Sequence, residues 1–286
     1  KGRNIVVFTS QQCKLKDGYI HFPKKANIQP LRTRVTNLCQ VRIIPQCSCH
    51  IIEVVYEKEC IKTIGLEPDS YLSIDLGLNN LVTSCDSLNH KSFIVNGRPL
   101  KSINQYFNKK RALLMSYIGN RGTSNRIGEL TLKRNCKVND YMHKASRFIV
   151  NYCIEHHIGT IVIGNNKDWK QNCNMGKRNN QNFVSVPFEK LISMIQYKSE
   201  EVGIRVVITE ESYTSKVDHY AGEEMCHHDS YLGKRIKRGL YRSSTGKILN
   251  ADLNGAIGIL RKVSHESYMQ VVSRGGVETP SRIHLV

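Results

Sequence analysis

The first residue whose type and position could do chemistry is Asp75. It lies in Tyr71–Leu78 (Y-L-S-I-D-L-G-L), an apolar and β-branched run that predicts a short buried strand. Gly77 comes two residues later and indicates a sharp turn at the end of that strand. The carboxylate is therefore expected at the C-terminal edge of a sheet, where open α/β folds place their ligands. Taken alone, an Asp in this position is also an ordinary turn residue.

Two further acidic stretches could supply partners for this carboxylate. Thr209–Lys216 (T-E-E-S-Y-T-S-K) begins at the end of a predicted strand and offers Glu211, or alternatively its neighbour Glu210. Successive strand side chains point to opposite faces, so only one of the two can face the site, and the apolar pattern does not decide which. Asn250–Ala256 (N-A-D-L-N-G-A) opens the last predicted helix and offers Asp252.

Three carboxylates at one point would require a cation, because like charges raise one another's pKa. Mg²⁺ is the obvious choice, being hard and oxygen-seeking, and Mn²⁺ can substitute. Two such ions, roughly 3.5–4 Å apart, can clamp the attacking water and the leaving oxygen of a phosphodiester. Asp75, Glu211 and Asp252 are therefore candidate catalytic and metal-binding residues. The alternatives are that Asp252 only stabilises a helix N-terminus and that Glu211 is a solvated edge residue.

The composition is that of a strongly basic protein. The 286 residues contain 42 Lys and Arg against 24 Asp and Glu, which gives a formal net charge of +18. This excess favours a polyanionic partner, most simply nucleic acid, although a solubility surplus or a ribosomal-type surface is the alternative. No apolar run approaches the ~20 residues of a membrane span, so no membrane partner is expected. The ten cysteines form no C-x-x-C pair, which predicts reduced thiols and no zinc site.

Three basic stretches could contact phosphates and bases. N-N-K-D-W-K-Q contains the only Trp, G-K-R-N-N-Q-N-F follows it, and G-K-R-I-K-R-G-L concentrates charge further along the chain. Amides and cations around an aromatic ring suit phosphates and stacked bases. The alternatives are a Trp that fills the core and a charge run that is only a solvated face. The candidate nucleic-acid-binding residues are Lys167, Trp169, Lys170, Lys177, Arg178, Gln181, Lys216, Lys234, Arg235, Lys237, Arg238 and Arg242.

The pattern of predicted elements changes near residue 70. Residues 1–69 contain short β-prone runs, which predict a small barrel or open sheet with a binding role. Its opening, K-G-R-N-I-V-V-F, resembles the interior of a longer sequence, so we expect this domain to be truncated at its N-terminus. Residues 70–262 predict an α/β domain of the order β-β-β-α-α-β-α-β-insert-α, with a basic insert at 217–250, and residues 263–286 predict a polar tail that is mobile or peripheral. Within this frame we expect a linker at 65–70, helices at about 101–118, 140–157, 187–202 and 252–262, and a Gly/Ser-rich break at 119–128.

Six stretches together resemble the TnpB (OrfB) family of transposon-encoded nucleases, which are relatives of the type V CRISPR effectors. They are S-I-D-L-G-L-N-N-L, V-I-G-N-N-K-D-W-K-Q, N-N-Q-N-F-V-S-V-P-F, E-S-Y-T-S-K, G-K-R-I-K-R-G-L-Y-R-S-S and N-A-D-L-N-G-A. The resemblance extends over residues 28–262, and the last three stretches are highly specific in combination.

The resemblance implies an RNase H-like (RuvC) nuclease domain preceded by a small β-rich, oligonucleotide-binding-like wedge domain. Asp75 then corresponds to the first RuvC acid and Asp252 to the third. It also implies RNA-guided, Mg²⁺-dependent cleavage of a DNA target, with a guide RNA derived from the transposon end. The expected location is the cytoplasm of a prokaryotic cell, or wherever the mobile element resides, and a homodimer is left open. Two alternatives remain: a nuclease-inactive, RNA-guided repressor, and an unguided, structure-specific nuclease with the same core.

The sequence departs from the family pattern at three places. Many members carry the second acid just after the strand at 161–163, where this chain has Gly164, Asn165 and Asn166. The subgroup with E-S-Y-T-S-K takes this acid from the next strand, which favours Glu211. Many members have a four-Cys zinc ribbon before the third acid, whereas this insert has one Cys, so no zinc is expected. The N-terminal recognition part is short or absent.

Overall fold

A computed structural model of the chain describes residues 4–46, 49–61, 63–88, 91–119, 122–165, 186–274 and 279–285. The chain divides into two compact units. The first comprises residues 1–60 and 107–136, and the second comprises residues 61–106 and 137–286. The three candidate acids all belong to the second unit.

The first unit is built around six short strands. They form two three-stranded antiparallel sheets, ordered β1-β5-β6 and β2-β3-β4. Cys13, Ile20 and Val41 are its most buried apolar residues, and the rings of Phe8 and Phe22 pack edge to face beside them. The strands are β1 Val6–Thr9, β2 Lys14–Lys16, β3 Tyr19–His21, β4 Leu31–Arg32, β5 Leu38–Gln46 and β6 Cys49–Tyr56.

The second unit contains a mixed six-stranded sheet and a smaller three-stranded one. Its strands are β7 Glu67–Leu76, β8 Asn80–Asp86, β9 Phe93–Asn96, β10 Ile158–Gly164, β11 Arg205–Thr209, β12 Lys234–Lys237, β13 Leu240–Arg242, β14 Ile248–Asn250 and β15 Ser281–Ile283. The large sheet has the order β11-β10-β7-β8-β9-β15. β7, β8 and β9 form an antiparallel meander, while β10 is parallel to both β7 and β11, and β15 is parallel to β9. β7 is therefore a central strand.

Five helices accompany these strands: α1 Arg98–Ile118, α2 Asn125–Glu155, α3 Phe188–Glu200, α4 Ala251–Val263 and α5 His265–Arg274. Leu72 and Ile74 of β7 belong to a buried cluster with apolar residues of α2 and α3. Ser73, between them, donates from its hydroxyl to the Ala256 carbonyl of α4 at 2.7 Å. Strand alternation therefore directs Asp75, which has the same parity as Ser73, toward α4.

The insert before α4 forms the small antiparallel sheet β12-β13-β14. Tyr241 and Leu249 of this sheet are buried with Ala256 and Leu260 of α4 in a second cluster. Asn250 ends β14 and also caps α4, because its side chain accepts hydrogen bonds from the next backbone amides, those of Asp252 and Leu253.

Three sequence expectations about the elements are wrong. The linker expected at 65–70 ends early, because β7 begins at Glu67. The break expected at 119–128 is partly helical, because Ser124 accepts a hydrogen bond from the Ile127 amide and α2 begins at Asn125. The tail expected to be mobile or peripheral contains α5 and β15, of which the first buries Tyr268 and Val271 and the second extends the large sheet.

The first domain was expected at residues 1–69, whereas the first compact unit ends at residue 60 and also takes in residues 107–136. The helices expected near 101–118, 187–202 and 252–262 are present within a few residues of those bounds. None of the helices in the described ranges is both long enough and apolar enough to cross a membrane.

Candidate active site

Asp75 lies at the end of β7, opposite Thr83 of β8. Gly255 of α4 packs directly against it, and a Cβ added at Gly255 would lie 2.7 Å from Asp75 Oδ2. Burial raises the pKa of Asp75 well above its ordinary value, and the charges of Glu211 and Asp252 raise it further, against a lowering by Arg235. The first acid thus lies within electrostatic range of both other candidates.

Asp252 lies in the first turn of α4. The helix N-terminus is capped by Asn250, so the Asp252 carboxylate is not needed as a cap. Its Oδ2 atom instead accepts a hydrogen bond from Asn80 Nδ2 of β8 at 2.7 Å. The structure therefore turns Asp252 back toward the strand that pairs with β7.

Glu211, and not Glu210, is the acid directed toward Asp75. Burial raises the pKa of Glu211 to about 7, with a smaller lowering by Lys262. Its Oε2 atom would lie 3.0 Å from a Cβ added at Gly164, the last residue of β10. Glu210 is 69% exposed and lies 3.9 Å from the Lys262 ammonium. The positions of the two side chains therefore favour Glu211 over Glu210 as the candidate second acid.

The missing side chain at Gly164 explains how the departure from the family pattern is accommodated. Gly164 is the first of the three residues, 164–166, at which the resemblance to the family led us to expect the second acid. A side chain there would meet both Glu211 and Ile259 of α4, at 3.0 Å and 2.4 Å from its Cβ. The Glu211 carboxylate, which follows the end of the neighbouring strand β11, lies close to the space that a side chain at Gly164 would fill. The same region of the site therefore holds an acid that comes from a different element.

These carboxylates fit a hard divalent cation in donor type and in charge. Asp75 accepts no hydrogen bond from any described residue, and two other acids raise its pKa, so a bound cation would stabilise its ionised form. Across the described ranges, however, no group of three or more His, Cys, Asp or Glu side chains is already arranged to hold a metal ion. Joint ligation would thus require side-chain rotation.

A cavity of about 640 Å³ opens beside these acids. Asp75 and Asp252 line it together with Asn79 and Asn80. The rest of its charged lining consists of the arginines Arg98, Arg235, Arg238 and Arg282. The site therefore combines a few carboxylates with a larger number of guanidinium groups, an arrangement that suits an anionic substrate.

The predicted basic residues separate into three groups. Arg235 and Arg238 line the cavity, whereas Lys234, Lys237 and Arg242 are exposed on the same small sheet. Lys216 is exposed as well, and its ammonium lies 5.9 Å from the centroid of the Tyr231 ring. The remaining six predicted residues lie outside the described ranges; they are Lys167, Trp169, Lys170, Lys177, Arg178 and Gln181.

Sequence reasoning missed several residues of the site. Asn80 belongs to the same S-I-D-L-G-L-N-N-L stretch as Asp75, and its position there was a usable signal. Arg98 opens α1 after a buried strand, which is a weaker signal. Arg282 lies in a polar segment with no distinguishing pattern, and only the pairing of β15 with β9 brings it to the cavity.

Two family models match adjacent parts of the chain. One, described as "Probable transposase", matches residues 53–170. The other, described as "Cas12f1-like, TNB domain", matches residues 188–259. The first includes Asp75, and the second includes Glu211, Asp252 and the basic insert.

One curated relative and two solved structures are similar over most of the chain. The TnpB-like protein ORF457 of Acidianus two-tailed virus is 28% identical in an alignment of 225 residues that covers 72% of this chain and 44% of that protein. A Cas12f1 complex with sgRNA and target DNA matches with a TM-score of 0.58 at 17% identity, over 78% of this chain and 45% of that one. A CRISPR-Cas12f ternary complex matches with a TM-score of 0.52 at 15% identity, over the same shares.

The chain is thus a mixed α/β protein whose fold is similar to that of the two Cas12f structures. The resemblance of its sequence to the TnpB family is confirmed. The chain spans less than half the length of the relatives that it matches.

Proposed function

We propose that this protein is an RNA-guided, metal-dependent DNA endonuclease of a transposable element, with an RNase H-like (RuvC) nuclease domain. The observation that carries the proposal is that Asp75 and Asp252 line an arginine-rich cavity, with Glu211 close enough to Asp75 to raise its pKa. The family matches support the same activity, because both family descriptions and the relatives' names point to transposon or CRISPR proteins.

The three acids would hold two Mg²⁺ ions, or Mn²⁺ in their place. When bound, such ions activate a water molecule and stabilise the charge on the phosphodiester oxygens. The chain's own side chains orient a metal ligand and bind the substrate. Asn80 orients Asp252 through its 2.7 Å hydrogen bond, and Arg235 and Arg238 bind the phosphates of the strand that enters the cavity.

The proposed partners are a DNA target and a guide RNA derived from the transposon end. The two solved relatives support this choice, since one is titled as a complex with sgRNA and target DNA and the other as a ternary complex. The net charge of +18 supports a large polyanionic partner. The two small sheets of the first unit are the proposed wedge domain, and the second unit, which contains the three acids, is the proposed nuclease domain.

The test compares Glu211→Gln with its neighbour Glu210→Gln. Both changes remove one carboxylate next to the same strand, but only Glu211 is directed toward Asp75. Mn²⁺ binding to the native chain and each variant is measured by electron paramagnetic resonance, and DNA cleavage is measured with the co-purified RNA retained. We expect Glu211→Gln and Asp75→Asn to lose cleavage by at least about a hundredfold and to weaken Mn²⁺ binding, and Glu210→Gln to match the native chain.

Persistent cleavage in Asp75→Asn would overturn the nuclease proposal. A second candidate, an RNA-guided DNA-binding repressor without nuclease activity, is favoured by the lack of any preformed three-ligand cluster in the described part of the chain. A native chain that retains RNA and DNA but binds no Mn²⁺ at the three acids would favour the repressor.

A further inference from the structure

Arg98 and Arg282 also line the cavity. They belong to α1 and β15, which lie outside the basic insert and outside the three acidic stretches. Arg98 is the first residue of α1, just after β9. Arg282 is the middle residue of β15 and pairs with Ile94 of β9. Both side chains are exposed, and both line the same cavity as Asp75 and Asp252. The β9–β15 edge of the sheet therefore contributes positive charge directly to the site.

The cavity has more positive than negative charge. Among the described residues, four arginines line it against two aspartates. Within the described ranges, neither Arg98 nor Arg282 forms an ion pair or a side-chain hydrogen bond. A guanidinium has five donors that match phosphate oxygens, so this pair of groups is available to an anionic ligand.

The arginines come from two separate parts of the fold. Arg235 and Arg238 come from the insert sheet, whereas Arg98 and Arg282 come from the β9–β15 edge of the large sheet. The volume of about 640 Å³ lies within the range of ligand pockets, which suits a short stretch of one nucleic-acid strand and not a double helix. A nucleic-acid strand that crosses this cavity would contact arginines of the insert and arginines of the β9–β15 edge.

We infer that Arg98 and Arg282 form a second phosphate-binding site, which holds the backbone of a single DNA strand across the acids together with Arg235 and Arg238. The inference rests on the proposed nuclease function and adds the residues that position its substrate. It also assigns a role to the C-terminal strand β15: this strand completes the substrate cavity. Arg98 and Arg282 are positioning residues, because they hold phosphates and do not touch the reacting atoms.

The experiment measures binding of a fluorescein-labelled single-stranded DNA oligonucleotide by fluorescence anisotropy. EDTA is present, so that neither cleavage nor metal binding contributes. The test variant is Arg98→Ala/Arg282→Ala. The matched control is Arg205→Ala/Arg274→Ala, which removes two exposed arginines of the same unit that do not line the cavity. The charge-retaining variant is Arg98→Lys/Arg282→Lys.

The test variant should bind about tenfold more weakly near 0.1 M salt, and its slope of log K against log salt should fall by about 1.4, because each lost phosphate contact removes about 0.7 for a single strand. The control and the lysine variant should keep the native slope. Thermal unfolding should be unchanged in all three, since the four side chains are exposed.

Equal binding by the test variant and the native chain, or an equal loss in the control, would overturn the inference. So would a native chain that does not bind the oligonucleotide. A loss seen only with an RNA oligonucleotide of the same sequence would overturn it too, because the cavity would then take the guide and not the substrate. These results are separate from the nuclease proposal, which depends on Mn²⁺ binding and on cleavage by the Asp75 and Glu211 variants.

Discussion

At the scale of single residues, two glycines determine where the acids can lie. Gly255 allows α4 to approach β7 until the Asp75 carboxylate lies where a side chain would otherwise be. Gly164 does the same for Glu211 at the end of β10. Asp252 and Gly255 are three residues apart on α4, so they share a face of the helix. The spacing of N-A-D-L-N-G-A thus has a physical reason, since one face supplies an acid and the room for another.

Gly255→Ala should therefore damage the site more than the fold. The added Cβ would lie 2.7 Å from Asp75 Oδ2, so the carboxylate must move. Ala in a helix interior is otherwise favoured over Gly by about 1 kcal/mol, which offsets part of the strain. We expect Mn²⁺ affinity to fall at least about tenfold while the melting temperature changes by only a few degrees.

Gly258→Ala is the matched control for this change. It makes the same substitution one turn later on α4, but its Cβ would meet His219 and Thr214, at 2.6 Å and 2.8 Å, instead of an acid. It should lower the melting temperature and leave Mn²⁺ affinity intact. If both variants lost metal affinity equally, distortion of the whole helix, and not displacement of Asp75, would be the cause.

At the scale of elements, the insert is held in place by two buried carboxylates. Asp218 accepts hydrogen bonds from the backbone amide and hydroxyl of Ser244 and from the hydroxyl of Ser243, all at 3.0 Å or less. Glu223 accepts from the backbone amides of Asp218 and Leu232. These hydrogen bonds tie the loops around the small sheet that carries Arg235 and Arg238.

Asp218→Ala should unfold the insert before the rest of the second unit. It removes the acceptor of the buried Ser243 hydroxyl and of the amide and hydroxyl of the exposed Ser244, at a cost of roughly 1–3 kcal/mol. Limited proteolysis should then cut within residues 217–250, and single-stranded DNA binding should weaken. Asp229→Ala removes an exposed acid of the same insert and should behave as the native chain. Native resistance to proteolysis in Asp218→Ala would show that apolar packing of Tyr241 and Leu249 suffices.

Most central elements could be predicted because their burial follows a regular period. The alternation of Leu72, Ile74 and Leu76 and the helical spacing of Tyr141, Ala145 and Ile149 are typical of a strand and a helix that pack together, and the structure buries all six residues. The expectations about secondary structure that failed concern elements that form because of a local contact or because of a partner distant in the sequence. Ser124 caps α2 within a stretch whose composition is typical of a loop. The three-residue strand β15 forms by pairing with β9, which would otherwise be the edge strand of the sheet.

The same distinction applies to the site. The three acids were found because each lies in a distinctive stretch, and the structure brings them into electrostatic range, while their catalytic role stays a prediction. Arg98 and Arg282 belong to elements 184 residues apart in the sequence, and their proximity is a property of sheet order alone. No local pattern of residues could have paired them.

At the scale of the whole molecule, two buried groups give the free energy of unfolding opposite dependences on pH. Glu211 has its pKa raised to about 7 by burial, so the folded state binds more protons than the unfolded state between about pH 4.5 and 7. His219 donates from Nε2 to the Thr214 carbonyl, and burial lowers its pKa to about 4, so between about pH 4 and 6.5 the unfolded state binds more protons. The first effect lowers stability as pH rises, and the second raises it.

In metal-free protein, Glu211→Gln should remove the contribution of Glu211 to the pH dependence of the free energy of unfolding. Gln resembles the protonated acid, so the variant should be about 2–3 kcal/mol more stable than the native chain at pH 7.5 and within about 1 kcal/mol of it at pH 5. Between pH 5 and 6.5 its stability should also fall less with rising pH than that of the native chain, because only Asp75 of the two carboxyl groups with raised pKa then opposes the titration of His219. Urea unfolding followed by circular dichroism in EDTA measures both, with Glu210→Gln as the control that keeps the native profile. A Glu211→Gln variant no more stable than the native chain at pH 7.5 would mean that the Glu211 carboxylate is well solvated, and a solvated carboxylate beside Asp75 would have little need of a cation.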